Sequence, residues 1–175
     1  GGADSTWQAG TTYVNSGLTA NAAYTYSVKA QDSAAPPNET SYSGDAATAT
    51  LIQTPTGISF GPLTNSSIVL NATGALFNLA VGSSGLYFDS TTPGGDGGIN
   101  VWVQTTNETA TGLSPDTSYT FQVKARNQNS VETPFSPTAS RRTLAAVPAA
   151  PVLSSPTMNS MVVDVNANGN PATTV

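Results

Sequence analysis

The chain repeats itself, and the spacing of that repeat limits the fold more than any other feature of its 175 residues. The run Gly17-Leu18 followed by Tyr24-Thr25-Tyr26-Ser27-Val28-Lys29-Ala30 returns 95 positions later as Gly112-Leu113 and Tyr119-Thr120-Phe121-Gln122-Val123-Lys124-Ala125. Trp7 matches Trp102 at the same spacing. Further along the spacing falls to 93: Glu39-Thr40-Ser41-Tyr42-Ser43 against Glu132-Thr133-Pro134-Phe135-Ser136, and Thr50-Leu51 against Thr143-Leu144. Ser67-Ile68-Val69-Leu70-Asn71 against Ser160-Met161-Val162-Val163-Asp164 keeps 93, so the two-residue difference lies in a loop. A period of this size is that of a small domain, longer than the repeats that stack into solenoids.

The order of matched segments predicts half a unit, a whole unit and half a unit. Residues 1–52 are expected to be the later part of one domain, 53–144 a complete one, and 145–175 the start of a third. The joints, with Pro55 and Pro148, are short, which predicts a semi-rigid string.

Within a unit the apolar residues recur with a period of two. Tyr119, Phe121, Val123 and Ala125 alternate with Thr120, Gln122, Lys124 and Arg126, so one face of a strand points inward. The same pattern places Tyr24, Tyr26, Val28 and Ala30 inward in the first unit. In both copies a Leu (Leu18, Leu113) precedes the Tyr by six residues across a turn, the spacing of a tyrosine corner. Strands are expected at 57–62, 67–72, 85–90, 99–105, 108–112, 118–127 and 136–143, with a Gly-rich loop at 93–98 and no helical periodicity.

These residues make the chain resemble tandem fibronectin type III domains. The marks are Gly112-Leu113-Ser114-Pro115-Asp116-Thr117-Ser118-Tyr119 with the strand that follows, then Ser136 and Thr143-Leu144, and a proline opening each next unit. The resemblance implies an all-β, immunoglobulin-like Greek-key sandwich, one complete and two partial. It departs from the family where a core Trp is usual: this chain has Ile68-Val69-Leu70 and Met161-Val162-Val163. With its Thr- and Asn-rich, sparsely charged composition it resembles bacterial members more than animal matrix proteins.

Composition narrows the function. There is no His and no Cys, which removes the commonest general base, the thiol nucleophile and most zinc or iron ligands. Five Lys plus Arg in a chain of net charge −5 cannot follow a phosphate backbone, so nucleic acid is not an expected partner. No apolar run reaches the roughly 20 residues of a membrane span. The ten carboxylates are mostly in loops and form no recurring pair, so no catalytic residue, cofactor or metal is expected. Asp89 and Asp96 flank the Gly-rich loop without the Asp-x-Asp spacing that favours calcium.

The residues expected to matter are core ones: Leu18, Tyr24, Tyr26, Val28, Leu113, Tyr119, Phe121 and Val123. Trp7 and Trp102 are expected to pack inward or at a sheet edge, the competing expectation being exposed platforms for sugar rings. Arg141 and Arg142 are candidate rim charges on the last strand. Asn-x-Ser/Thr occurs at Asn38, Asn65, Asn71 and Asn107, mostly by chance in so hydroxyl-rich a chain.

The functional expectation is therefore a non-catalytic structural segment of a secreted or cell-surface protein: a fibre, stalk or surface layer. Its expected partners are neighbouring copies or adjacent repeats, with a surface protein or glycan as alternatives. A spacer within a secreted hydrolase is the remaining option. The chain starts at Gly1 and is expected to be a processed product or a slice of something longer.

Overall fold

The computed structural model describes residues 4–171, and among them every regular element is a β-strand. In chain order they are β1 (Ala23–Tyr26), β2 (Ala46–Ala49), β3 (Gly57–Leu63), β4 (Ile68–Thr73), β5 (Gly85–Ser90), β6 (Trp102–Val103), β7 (Asn107–Ala110), β8 (Ser118–Arg126), β9 (Ala139–Arg142), β10 (Ala149–Ser154) and β11 (Val162–Asn166).

The central seven strands form two antiparallel sheets, ordered β3-β4-β7 and β6-β5-β8-β9. The chain crosses between sheets after β4, after β6 and after β7, the Greek-key order of the fibronectin type III sandwich. β8 shows why the sequence folds this way. Tyr119, Phe121, Val123 and Ala125 are buried while the residues between them are not. They meet Ile68 and Leu70 of β4 and Leu86 and Phe88 of β5 in one core. Ile68 and Leu70 are fully buried, and Phe60 and Phe121 meet across the sheets at a ring separation of 6.3 Å.

Both tyrosine corners are made. The Tyr119 hydroxyl accepts from the Ser114 N–H at 2.8 Å, and the Tyr24 hydroxyl from the Thr19 N–H at 2.9 Å. Each turn carries a glycine in the left-handed region, Gly112 at φ 67° and Gly17 at φ 73°, where a Cβ would be strained. Thr143 Oγ donates to the Ser114 carbonyl and accepts from the Thr117 N–H, and Thr50 repeats both bonds with Thr19 and Ala22.

Two expected strands are shorter than the pattern suggests. The stretch 99–105 narrows to Trp102–Val103, because Ile99 N–H bonds the Asp96 carbonyl in a turn and Ile99 plugs the core. The stretch 136–143 narrows to Ala139–Arg142 because Pro137 has no N–H to give a ladder and the Ser136 hydroxyl caps the Val123 N–H instead.

On either side lie two-stranded sheets, β1-β2 and β10-β11. Here one expectation needs correction. Tyr26 and Val28, read as inward-facing, are 39% and 71% exposed, and Tyr24 is half-buried. Their face points the right way by register, but no second sheet lies across it among the described residues.

Candidate functional site

Two arrangements stand out, one at the joint between the first two units and one on the outer face of the sheet that contains β8.

The joint is built by Asn21, which is fully buried and sits at φ 51° in the corner turn before β1. Asn tolerates that left-handed backbone better than most residues. Its Nδ2 donates to the carbonyls of Phe77 and Asn78, at 3.1 and 3.0 Å. Its Oδ1 accepts from the Ser84 hydroxyl at 3.1 Å and from the Gln128 N–H at 3.0 Å. The Gln128 side chain donates to the Asn21 carbonyl at 2.6 Å. One side chain therefore ties the first unit to two loops of the second, with its donors and acceptors all used. Around it Asn78 donates to the Ala20 carbonyl, Asn127 to the Thr50 carbonyl and Asn129 to the Thr48 hydroxyl. Ile52 inserts its side chain into the core of the central sandwich and Pro55 is fully buried beside it. A buried polar network with every group satisfied holds one geometry, since rotation would leave several groups unpaired at about 1–3 kcal/mol each.

The position that matches Asn21 in the central unit is filled with different chemistry. Asp116 stands where Asn21 does, at φ 42°, and Arg142 donates to both its carbonyl and its carboxylate. A carboxylate cannot donate as the Asn21 amide does. Within residues 145–171, Asn170 exchanges two hydrogen bonds with the Ala146 backbone, each 2.7 Å, and Asn168 donates to the Val147 carbonyl. Leu144 N–H bonds the Thr64 carbonyl, and Ala146 is buried.

The outer face carries a row across three strands. Trp102 on β6, Tyr87 on β5 and Lys124 on β8 are lateral partners by register. The Lys124 ammonium lies 5.3 Å from the Tyr87 ring, 5.6 Å from Trp102 and 5.1 Å from Phe135, and 2.5 Å from a Glu132 carboxylate oxygen. The Arg126 guanidinium lies 4.3 Å from the Trp102 ring. In the first unit the Lys29 ammonium lies 5.3 Å from Trp7 and 5.4 Å from Tyr42, paired to Glu39. That hydrogen bond raises the Lys29 pKa above its ordinary value. Nearby, Asp32 is held below the usual carboxylate range by the Asn38 side chain and by the Asn38 and Ala34 N–H groups.

Trp102 lies on β6, an edge strand of its sheet, where an inward or a sheet-edge position was expected for both tryptophans. Both lie on the outer face, Trp102 half-buried and Trp7 46% exposed, because register puts Trp102 beside the outward Tyr87 while Val103 packs on the core. Their rings pack against cations and neighbouring side chains. Leu113, Tyr119, Phe121 and Val123 lie together in the core, Leu18 is half-buried, and Arg141 is exposed on β9. The joint residues were missed by sequence reasoning. The available signal was the concentration of Asn and Gln in turns at one end of the repeat, at 21, 78 and 127–129, which reads as solvated surface until both loops are placed.

Changing Lys124 to Gln is expected to lower the melting stability of the central unit by about 1–2 kcal/mol, the scale of a partly buried ammonium over several rings. Thermal unfolding followed by tryptophan fluorescence checks this; an unchanged midpoint would show that the row is ornamental to stability.

No family model matches the chain. Chitinase A1 from Niallia circulans is 34% identical over 127 residues, covering 67% of this chain and 17% of that protein. The chain thus spans about a sixth of the length of the curated relative that it matches. Among solved structures, the FN1-FN3 domains of chicken CNTN1 are 21% identical over 69% of this chain and 41% of that one, with a TM-score of 0.40. Domains d3-d4 of the rat CD45 extracellular region are 14% identical over 81% of this chain and 74% of that one, with a TM-score of 0.39. The assignment of the fold rests on the strand order and the two tyrosine corners.

Proposed function

We propose that this chain is a non-catalytic spacer: a stretch of tandem sandwiches whose joints hold successive units in set orientations outside the cell. The observation that carries this reading is the Asn21 network, a fully buried and fully used polar contact between units. A flexible tether would have no use for it. The flanking hairpins β1-β2 and β10-β11 are then parts of further sandwiches, in keeping with the divisions at 52 and 144, and the parent is a bacterial-type secreted or surface protein. Repetition with stiff joints suits a stalk, fibre or surface layer.

A second reading has its own support. Similarity to a chitinase favours a spacer between the parts of a secreted glycan-degrading enzyme. A sugar-binding role for the aromatic row is less favoured, since Trp102 has a guanidinium against its ring and Lys124 lies among three rings.

Incubating the purified chain with insoluble chitin and with chitin oligosaccharides tests both. The spacer reading expects neither released sugar nor retention on the polymer. Released sugar would overturn it, and retention abolished by changing Trp7 and Tyr42 to Ala would replace it with a binding module.

A further inference from the structure

We infer that the turn Asn168-Gly169 is a site of spontaneous deamidation, and that the change loosens the β10-β11 hairpin from the segment that leaves the central unit. This goes beyond the spacer reading, since it concerns how the junction ages, whatever the parent protein does.

Asn168 is the one asparagine in the chain that glycine follows. The chemistry favours that pair. The attacking group is the main-chain nitrogen of the next residue, and glycine has no Cβ to hinder its approach. The surroundings leave the reaction open. Both residues are exposed, in a turn just after β11, with φ of 51° and 82°. Exposure belongs to the position, because Ala75, the counterpart of Asn168 in the complete central unit, is exposed as well. The Gly169 N–H makes no hydrogen bond among the described residues. Its neighbours do: the Asn168 N–H donates to the Asn166 side chain at 2.9 Å and the Asn170 N–H to the Ala167 carbonyl at 3.1 Å.

One contact restrains the amide, whose nitrogen donates to the Val147 carbonyl at 2.8 Å. That bond holds the side chain while it is made, and the reaction abolishes it for good. The Gly169 nitrogen loses its proton to hydroxide and attacks the Asn168 side-chain carbonyl carbon. The bond from that carbon to the amide nitrogen breaks, and ammonia leaves. Water opens the cyclic imide at one carbonyl or the other, giving aspartate or isoaspartate. Either product sets a carboxylate, with no N–H to donate, against the Val147 carbonyl. Isoaspartate also adds a methylene to the main chain, in a turn where a Cβ on Gly169 would stand 4.0 Å from the Pro115 ring of the central unit. Val147 follows closely on Leu144, whose N–H is held by the Thr64 carbonyl of the central unit. The lost bond therefore lies where the hairpin meets the chain leaving that unit.

Ageing the whole chain in mildly acidic and in mildly alkaline buffer, followed by peptide mass spectrometry and amide hydrogen exchange, tests this. The mass gain of amide nitrogen exchanged for oxygen is expected at Asn168 ahead of every other asparagine, and faster in the alkaline buffer. In the aged chain and in fresh Asn168→Asp, protection in Ala149–Ser154 is expected to fall about tenfold, the scale of one hydrogen bond, and to be kept in Ser118–Arg126. An aged Asn168→Gln chain is expected to keep the protection that it starts with, because its longer side chain cyclises poorly. An Asn168 that stays amidated while other asparagines react overturns the inference. So does full conversion at Asn168 with protection in β10 unchanged, or a loss on ageing in Asn168→Gln as fast as in the wild-type chain.

Discussion

Phe121→Ala is expected to cost the central sandwich about 3–5 kcal/mol, while Tyr26→Ala, at the matching position of the first unit, costs less than about 1 kcal/mol. Phe121 is fully buried, with its ring 6.3 Å from Phe60 and 6.4 Å from Tyr119. Removing it takes away transfer energy and leaves a cavity that a β-sheet core closes poorly. Small domains have on the order of 5–15 kcal/mol in total, so a drop of roughly 15–30 °C in melting temperature follows. Tyr26 occupies the same place in the repeat but is 39% exposed, and its hydroxyl accepts from the Asn15 side chain at 3.1 Å. Thermal melts of the two variants decide the matter. Equal losses would mean that the first unit has a closed core of its own, contrary to the structure.

Asn21→Asp is expected to uncouple the first two units while leaving the central sandwich folded. The change is nearly isosteric and keeps a residue that tolerates the left-handed backbone, so the effect isolates the lost amide. A carboxylate oxygen would replace Nδ2 opposite the carbonyls of Phe77 and Asn78, oxygen against oxygen, at a site with no access to water. The penalty is about 3 kcal/mol or more, the scale of a buried charge without a partner. The loss falls on residues 4–52, because an isolated two-stranded hairpin is marginal in water and β1-β2 leans on the joint. Amide hydrogen exchange should show protection lost in Ala23–Tyr26 and kept in Ser118–Arg126. Uniform protection in both segments would show that the network contributes little.

The sandwich was readable from the sequence where one physical rule decides. Period-two burial in 118–126 is dictated by strand geometry, and the Gly-Leu-to-Tyr spacing by a single hydrogen bond from the Ser114 N–H to the Tyr119 hydroxyl. Three things were not readable. The inward sense of Tyr26 and Val28 followed from alternation, but burial also needs an opposing sheet, and periodicity does not say whether one is there. The side on which Trp102 lies follows from Val103 packing on the core, and the strand is only two residues long, so alternation in the sequence had too little length to show it. The Asn21 network joins residues 63 and 107 positions apart, with no local pattern to announce it. Its polar residues look like surface because nothing in their own segments would bury them.

The central claim is that the joint between the first two units has one geometry. Because the chain has no Cys, labels at Ala47→Cys and Arg141→Cys would be the only two, one on each side of the joint and both at exposed positions. Pulsed electron–electron distance measurement between them should give a single narrow distribution for the wild-type background, broadening when Asn21 becomes Asp. A broad distribution in the wild-type background would show the units moving freely about 52–55, and the stiff-spacer account would be contradicted.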